Sequence, residues 1–242
     1  MKPANQTLRE SIAARRAKNR SPIKVWDYES ESPQKAYGPP WIKEFLEKSG
    51  VVKGRAIELG SGKASYLQDP EKAVAMDISR GMLSQAPHGN KIQMNLSEVG
   101  KKSLPFKVAS FDTALMPFFI NYIPKTQRAL LKDVQCVLKK DGRMVFVFYK
   151  GLHQGKVPNK DVDKAALEGT LKSMGLNVAT QHIGSKFGIK GGETKPLSSD
   201  IYVTVASKKA VSKKELKQAW EQVKKDRKAR QEYDGIFEDL DF

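Results

Sequence analysis

Arg55-Ala56-Ile57-Glu58-Leu59-Gly60-Ser61-Gly62-Lys63-Ala64-Ser65 is the stretch on which the fold reading turns. A short apolar run enters a glycine turn there. Gly60 and Gly62 let the backbone turn sharply and leave room for a ligand to approach. Glu58 stands at the very end of the predicted strand. Asp77 ends the next apolar run, Ala73–Ile78, 17 positions after Gly60. A carboxylate at that place can accept both hydroxyls of a ribose.

Outward from this turn the chain alternates between strand and helix. Lys91–Met94 is a weaker third strand, Phe111–Met116 a fourth and Arg143–Tyr149 the strongest, continuously apolar as a buried parallel strand is. Between the last two, Lys125–Lys140 carries Ala129, Leu130, Val134, Val137 and Leu138 at helical spacing, and Asp141-Gly142 ends it. Asp161–Met174 is predicted helical and closed by Gly175. Leu176–Ile183 and Ile201–Ala206 alternate as strands, with no helix between them, which predicts an antiparallel edge. Repeated strand–helix units predict an α/β fold: a doubly wound, mostly parallel sheet, with ligands at the carboxyl ends of the strands. Residues 60–72 alone separate the first two strands, and Pro70 lies among them. The first crossover helix is therefore expected to be short, near Ser65–Gln68, since a crossover needs at least about 10–12 residues.

These residues resemble the class I S-adenosylmethionine-dependent methyltransferases, of the methyltransferase-11-like kind. The family's first motif is an acidic residue, any residue, then Gly-x-Gly-x-Gly; here Glu58-Leu59-Gly60-Ser61-Gly62-Lys63-Ala64 matches it, with Ala64 in place of the third glycine. The acid closing the second strand resembles Asp77. The third strand ends on Asn95 where the family usually has Asp, and its side-chain oxygen can still accept from an adenine amino group. Ser103-Leu104-Pro105-Phe106 with Ser110-Phe111-Asp112 resembles the stretch that introduces the fourth strand, and Leu138-Lys139-Lys140-Asp141-Gly142-Arg143 the turn before the fifth. The resemblance covers roughly residues 40–207. It implies a Rossmann-like, seven-stranded sheet with an antiparallel C-terminal strand, and S-adenosyl-L-methionine as cofactor. It implies cofactor contacts at Glu58, Gly60, Ser61, Gly62, Asp77, Ile78, Asn95 and Met116. A nicotinamide enzyme on the same fold would want glycine at Ser65. Its pyrophosphate does not suit the acid at Glu58, whereas a cationic sulfonium ligand with an ammonium group does.

Methyl transfer is an in-line displacement, so holding the acceptor at attack distance can supply most of the catalysis. A triad is not required and none is seen. The acceptor loop should follow the fourth strand, at Met116-Pro117-Phe118-Phe119-Ile120-Asn121-Tyr122. It lacks the polar first residue with which base-directed amino methyltransferases hold an exocyclic amine. Phe118, Phe119 and Tyr122 are the candidate substrate residues; both phenylalanines can stack on a planar acceptor or pack beneath the cofactor. Tyr149 and His153, after the fifth strand, are weak candidates for a base. The three histidines, His88, His153 and His182, are scattered, and no metal-site spacing occurs. Cys136 is expected in the core, on the apolar face of its helix.

Composition sets the partners. The chain has 242 residues, with 43 Lys+Arg against 27 Asp+Glu, a net charge of +16. Residues 51–150 hold 16 basic and 8 acidic groups, half of that excess. A basic surface favours acidic partners such as nucleic acid. One cysteine excludes a disulfide framework within the chain. No apolar run reaches the roughly 18 residues of a membrane span, and the N-terminus has no apolar leader core, so a cytoplasmic protein is expected. Residues 1–38 read as a basic arm, with a helix over Thr7–Asn19, and a linker; 39–207 as the methyltransferase domain; 208–242 as a helical extension. In that last part 208–230 holds 10 basic and 3 acidic groups, while 231–242 holds 5 acids and no base. It reads as a basic helix over Ser212–Gln231 with a narrow apolar stripe of Val211, Leu216, Trp220 and Val223, then an acidic peptide suited to a groove on a protein partner. The expected activity is methyl transfer to a nucleic acid or ribonucleoprotein, RNA first. A small-molecule methyltransferase and a non-catalytic scaffold on the same fold stay open as alternatives.

Overall fold

The computed structural model describes residues 41–63, 65–67, 69–120, 127–150, 162–190 and 193–238, with the backbone alone for 185–190, 193–199 and 230–238. The N-terminal arm, Tyr122 and His153 lie outside these residues.

Seven strands form one sheet: β1 (Ala56–Leu59), β2 (Val74–Asp77), β3 (Asn90–Gln93), β4 (Phe111–Pro117), β5 (Leu138–Lys150), β6 (Asn177–Lys190) and β7 (Glu193–Ser207). Their order is β3-β2-β1-β4-β5-β7-β6. The first five strands pair in parallel. β7 is antiparallel to both β5 and β6. The antiparallel strand is thus inserted next to β5, and β6, not β7, forms the edge. The cause is local: consecutive strands with no helix between them can only pair as an antiparallel hairpin. The strand order reverses between β1 and β4, the place where doubly wound sheets bind ligands.

Helices cover both faces. On one, α3 (Gln127–Val137) and α4 (Lys164–Ser173) bury Leu130, Leu131, Val134, Leu167 and Leu171 against Met116, Phe146 and Phe148. Asp163 caps α4, its carboxylate accepting from the backbone N–H groups of Ala165 and Ala166. On the other face, α1 (Trp41–Lys48) and α5 (Lys213–Glu238) bury Ile42, Phe45, Leu216 and Val223 against Val145, Val147, Val203 and Val205. Trp41 and Trp220 pack ring to ring, 5.3 Å between centroids. The short α2 (Arg80–Gln85) is capped by Ser79, whose hydroxyl accepts from the N–H of Met82.

Four expectations change. Among the described residues of the crossover, Ser65–Leu67 are not helical and a 3-10 turn forms at Pro70–Lys72. Ser65 is diverted, its hydroxyl spent on Glu58, and Pro70 has no N–H to extend a helix backward. The helix before β5 ends at Val137, because Leu138 already pairs with Phe111 of β4. Cys136 is exposed. At 100° per residue it falls outside the face made by Leu130, Leu131, Val134 and Val137. The C-terminal helix runs to Glu238, through most of the segment expected as a separate acidic peptide. The Val211, Leu216, Trp220 and Val223 stripe does dock on the domain, as a helix with one apolar face and one solvated face does.

Candidate active site

The glycine turn sits between two buried carboxylates. Gly60 and Ser61 both donate their N–H groups to the carbonyl of Met76, fastening the turn to β2. Gly60 and Gly62 have φ of +67° and +59°, the left-handed region that glycine enters freely. A Cβ placed on Gly60 would overlap the Phe119 ring, whereas at Gly62 nothing lies within 4 Å. The open backbone is therefore at Gly62, and the ring of Phe119 covers Gly60.

Asp77, at the carboxyl end of β2, holds the turn from the other side. Its Oδ2 accepts from the N–H of Gly62 and its Oδ1 from the N–H of Ser79, each at 2.9 Å. Two backbone donors fix the carboxylate in orientation. Glu58 is wholly buried. Its carboxylate accepts from the Ser65 hydroxyl at 2.7 Å and the Tyr66 N–H at 3.3 Å, and lies 2.8 Å from Nε2 of His88. His88 is the residue that sequence reasoning passed over. It was one of three scattered histidines, and only the return of the chain after α2 carries it beneath β1.

The other expected residues take varied places. Ile78 follows β2, its carbonyl accepting from the Gln93 side chain. Asn95 caps a 3-10 turn: its Oδ1 accepts from both the N–H and the hydroxyl of Ser97, and its Nδ2 donates to Glu98. Met116 is wholly buried in β4. Phe118, with φ +55°, is buried and stacks on Tyr149 at 4.4 Å between centroids, with Tyr66 edge-on to it at 6.1 Å. A non-glycine residue in the left-handed region stores strain, and such residues concentrate at functional sites. Here the backbone bond from the Phe118 N–H to the carbonyl of Val147 holds it. Phe118 and Tyr149 thus belong to one aromatic stack at the carboxyl edge of β4 and β5. Among the described residues no cluster of His, Cys, Asp and Glu could hold a metal ion, and no helix is long and apolar enough to cross a membrane.

Comparison with known proteins agrees with this geometry. Residues 57–146 match the family model described as a methyltransferase domain. No curated sequence matches significantly. Several solved structures share the fold. A SAM-dependent methyltransferase from Archaeoglobus fulgidus superposes with a TM-score of 0.54 at 16% identity, over 70% of this chain and 94% of its own. One from Thermotoga maritima, a possible histamine N-methyltransferase, gives 0.51 at 17%, over 70% and 89%. The phosphoethanolamine N-methyltransferase 2 of Haemonchus contortus, in complex with phosphomonomethylethanolamine and S-adenosylhomocysteine, gives 0.52 at 13%, over 71% and 53%. Residues 57–146 thus match a methyltransferase domain, and the sheet shares its fold with SAM-dependent methyltransferases of known structure.

Proposed function

We propose that this enzyme methylates a nucleic acid or ribonucleoprotein, with RNA as the acceptor class. The cofactor when bound supplies a methyl group activated by a sulfonium. The residues present fit it: Gly62 leaves the backbone open, and Asp77 stands beside it with an oriented carboxylate for ribose hydroxyls. Asn95 has both lone pairs of Oδ1 engaged by Ser97, so an adenine amino group would have to displace one of them. No side chain has to take a proton early, because the task of this site is alignment.

The observation that carries the acceptor class is a lysine track on α5. Lys213, Lys217, Lys224 and Lys228 are all exposed. At 100° per residue they fall within about 60° of one another, and at 1.5 Å per residue they span about 22 Å. The track leads toward the ligand edge. β7 ends at Ser207, opposite Arg143 near the lower end of β5. By Trp220 the helix reaches Gly184, whose added Cβ would lie 3.4 Å from the Trp220 ring. Gly184 stands beside the pair His182–Tyr202, and the next β7 residue, Ile201, pairs with Tyr149. Lys224 and Lys228 therefore continue past the level of Tyr149, where substrates of this fold bind. Four cations in line suit a phosphate backbone.

The test is RNA binding measured against salt, with a variant carrying Lys213→Ala, Lys217→Ala, Lys224→Ala and Lys228→Ala. For a single strand, removing all four contacts should flatten the slope of log K against log salt by about 2.8. Equal slopes for the two proteins would refute the reading. A second reading, a small-molecule acceptor, is favoured by the Phe118–Tyr149 stack, in which both rings are buried. Salt-insensitive turnover of a small acceptor would establish it instead.

A further inference from the structure

Glu58 makes its bonds inward. Its side chain and that of His88 are both fully buried, 2.8 Å apart. A carboxylate out of water is costly unless its oxygens are partnered. Here Ser65 and Tyr66 supply two donors from the segment just after the glycine turn, and His88 supplies the third from the α2–β3 connection. With Glu58 taken as a carboxylate, which only accepts, the proton in that bond is assigned to Nε2 of His88. The other ring nitrogen, Nδ1, is buried and has no hydrogen-bond partner among the described residues. Among these residues the polar contact that holds the imidazole is the one to Glu58. Through Glu58 it reaches Ser65 and Tyr66, which close the loop carrying Gly62 to Asp77.

We propose that His88 is a positioning residue for cofactor binding. It pins Glu58, which pins the loop from Gly60 to Leu67 in the shape that opens Gly62 and fixes Asp77. The same contacts make Glu58 a brace of the loop rather than a direct ligand of the cofactor's ammonium group. The inference rests on the cofactor reading above.

The test compares the full-length protein with His88→Leu, His88→Asn and His88→Gln. Gln places its terminal nitrogen near where Nε2 stood; Asn is too short to reach Glu58; Leu cannot donate. Two readouts are taken well below the unfolding transition: S-adenosylhomocysteine affinity by calorimetry, and amide hydrogen exchange across residues 60–67. We expect His88→Leu and His88→Asn to bind about ten-fold more weakly and to exchange the Gly62 and Tyr66 amides about ten-fold faster, with His88→Gln near wild type in both. A purely structural role would lower the unfolding temperature of all three without this split. Wild-type binding matched by His88→Asn, with unchanged exchange, overturns the proposal and leaves the cofactor reading intact. Should wild type itself not bind, the cofactor reading fails and takes the positioning role for cofactor binding with it, whatever the loop exchange shows. Should His88→Leu fail to fold, the contrast between Asn and Gln carries the same decision.

Discussion

Asp77→Asn separates the two duties assigned to this carboxylate. In the wild type its oxygens each accept from a backbone N–H at 2.9 Å, one from Gly62 and one from the buried Ser79. Asparagine keeps the shape but offers one acceptor oxygen and one donor nitrogen. Whichever way the amide turns, one of the two N–H groups faces another donor. Leaving such a group unsatisfied costs about 1–3 kcal/mol. For a chain of this size, about 2 kcal/mol corresponds to a fall of roughly 4–8 °C in Tm. The second duty is the ribose. Exchanging a charged acceptor for a neutral amide removes hydrogen bonds worth about 2–3 kcal/mol, so S-adenosylhomocysteine should bind about 30–150-fold more weakly. Calorimetry gives the affinity and thermal unfolding gives the stability. An affinity within about two-fold of wild type would refute the assignment of Asp77 to the ribose. An unchanged Tm would refute its role in holding the glycine turn.

Gly60→Ala and Gly62→Ala should both pay the left-handed penalty, about 1–2 kcal/mol each, but only Gly60→Ala also meets the Phe119 ring. Denaturant unfolding should therefore rank Gly60→Ala as the more destabilising, and Phe119→Ala should remove that excess in the double variant without removing the backbone penalty. Equal destabilisation of the two glycine variants would contradict the packing of Phe119 on Gly60. Asp112 takes hydrogen bonds from Lys139 Nζ at 2.8 and 3.0 Å and from the Arg55 N–H at 2.9 Å. The Lys139 bond, foremost, holds its pKa below the ordinary carboxylate value against the opposing effect of burial. Its stabilisation, about 1 kcal/mol for so accessible a pair, is complete above the unfolded value near 3.9 and is lost as pH falls through the lower folded value. Asp112→Asn should accordingly lower stability at neutral pH and match wild type in strong acid.

Legibility in the sequence followed the range of the interaction. β1, β2, β4 and β5 showed as apolar runs, because strands buried on both faces leave no polar alternation to mislead, whereas the exposed edge strand β3 gave only a weak signal. The glycine turn, Glu58 and Asp77 were legible because they lie at the ends of β1 and β2, and the parallel pairing of Ile57 with Val74 and of Leu59 with Met76 follows from their succession. Cys136 was misplaced because five apolar positions fit more than one helical face, and the sheet, not the helix, selects the face that is buried. The crossover helix was misplaced because Ser65 bonds to a residue that sequence places on a strand.

By itself the sequence determined the alternation of strands and helices, the turn on which the ligand edge is built, and the excess of positive charge. These are local patterns, set by side-chain period, by the backbone freedom of glycine and by composition. Tertiary structure alone decided three matters. It brought His88 under Glu58 across 30 positions of chain, it laid Phe119 over Gly60, and it docked α5 against α1 and the sheet. Each depends on how far and in which direction the chain returns to the sheet. That is set by burial of faces such as Leu216 and Val223 against β-strands distant in sequence, and no local pattern encodes it.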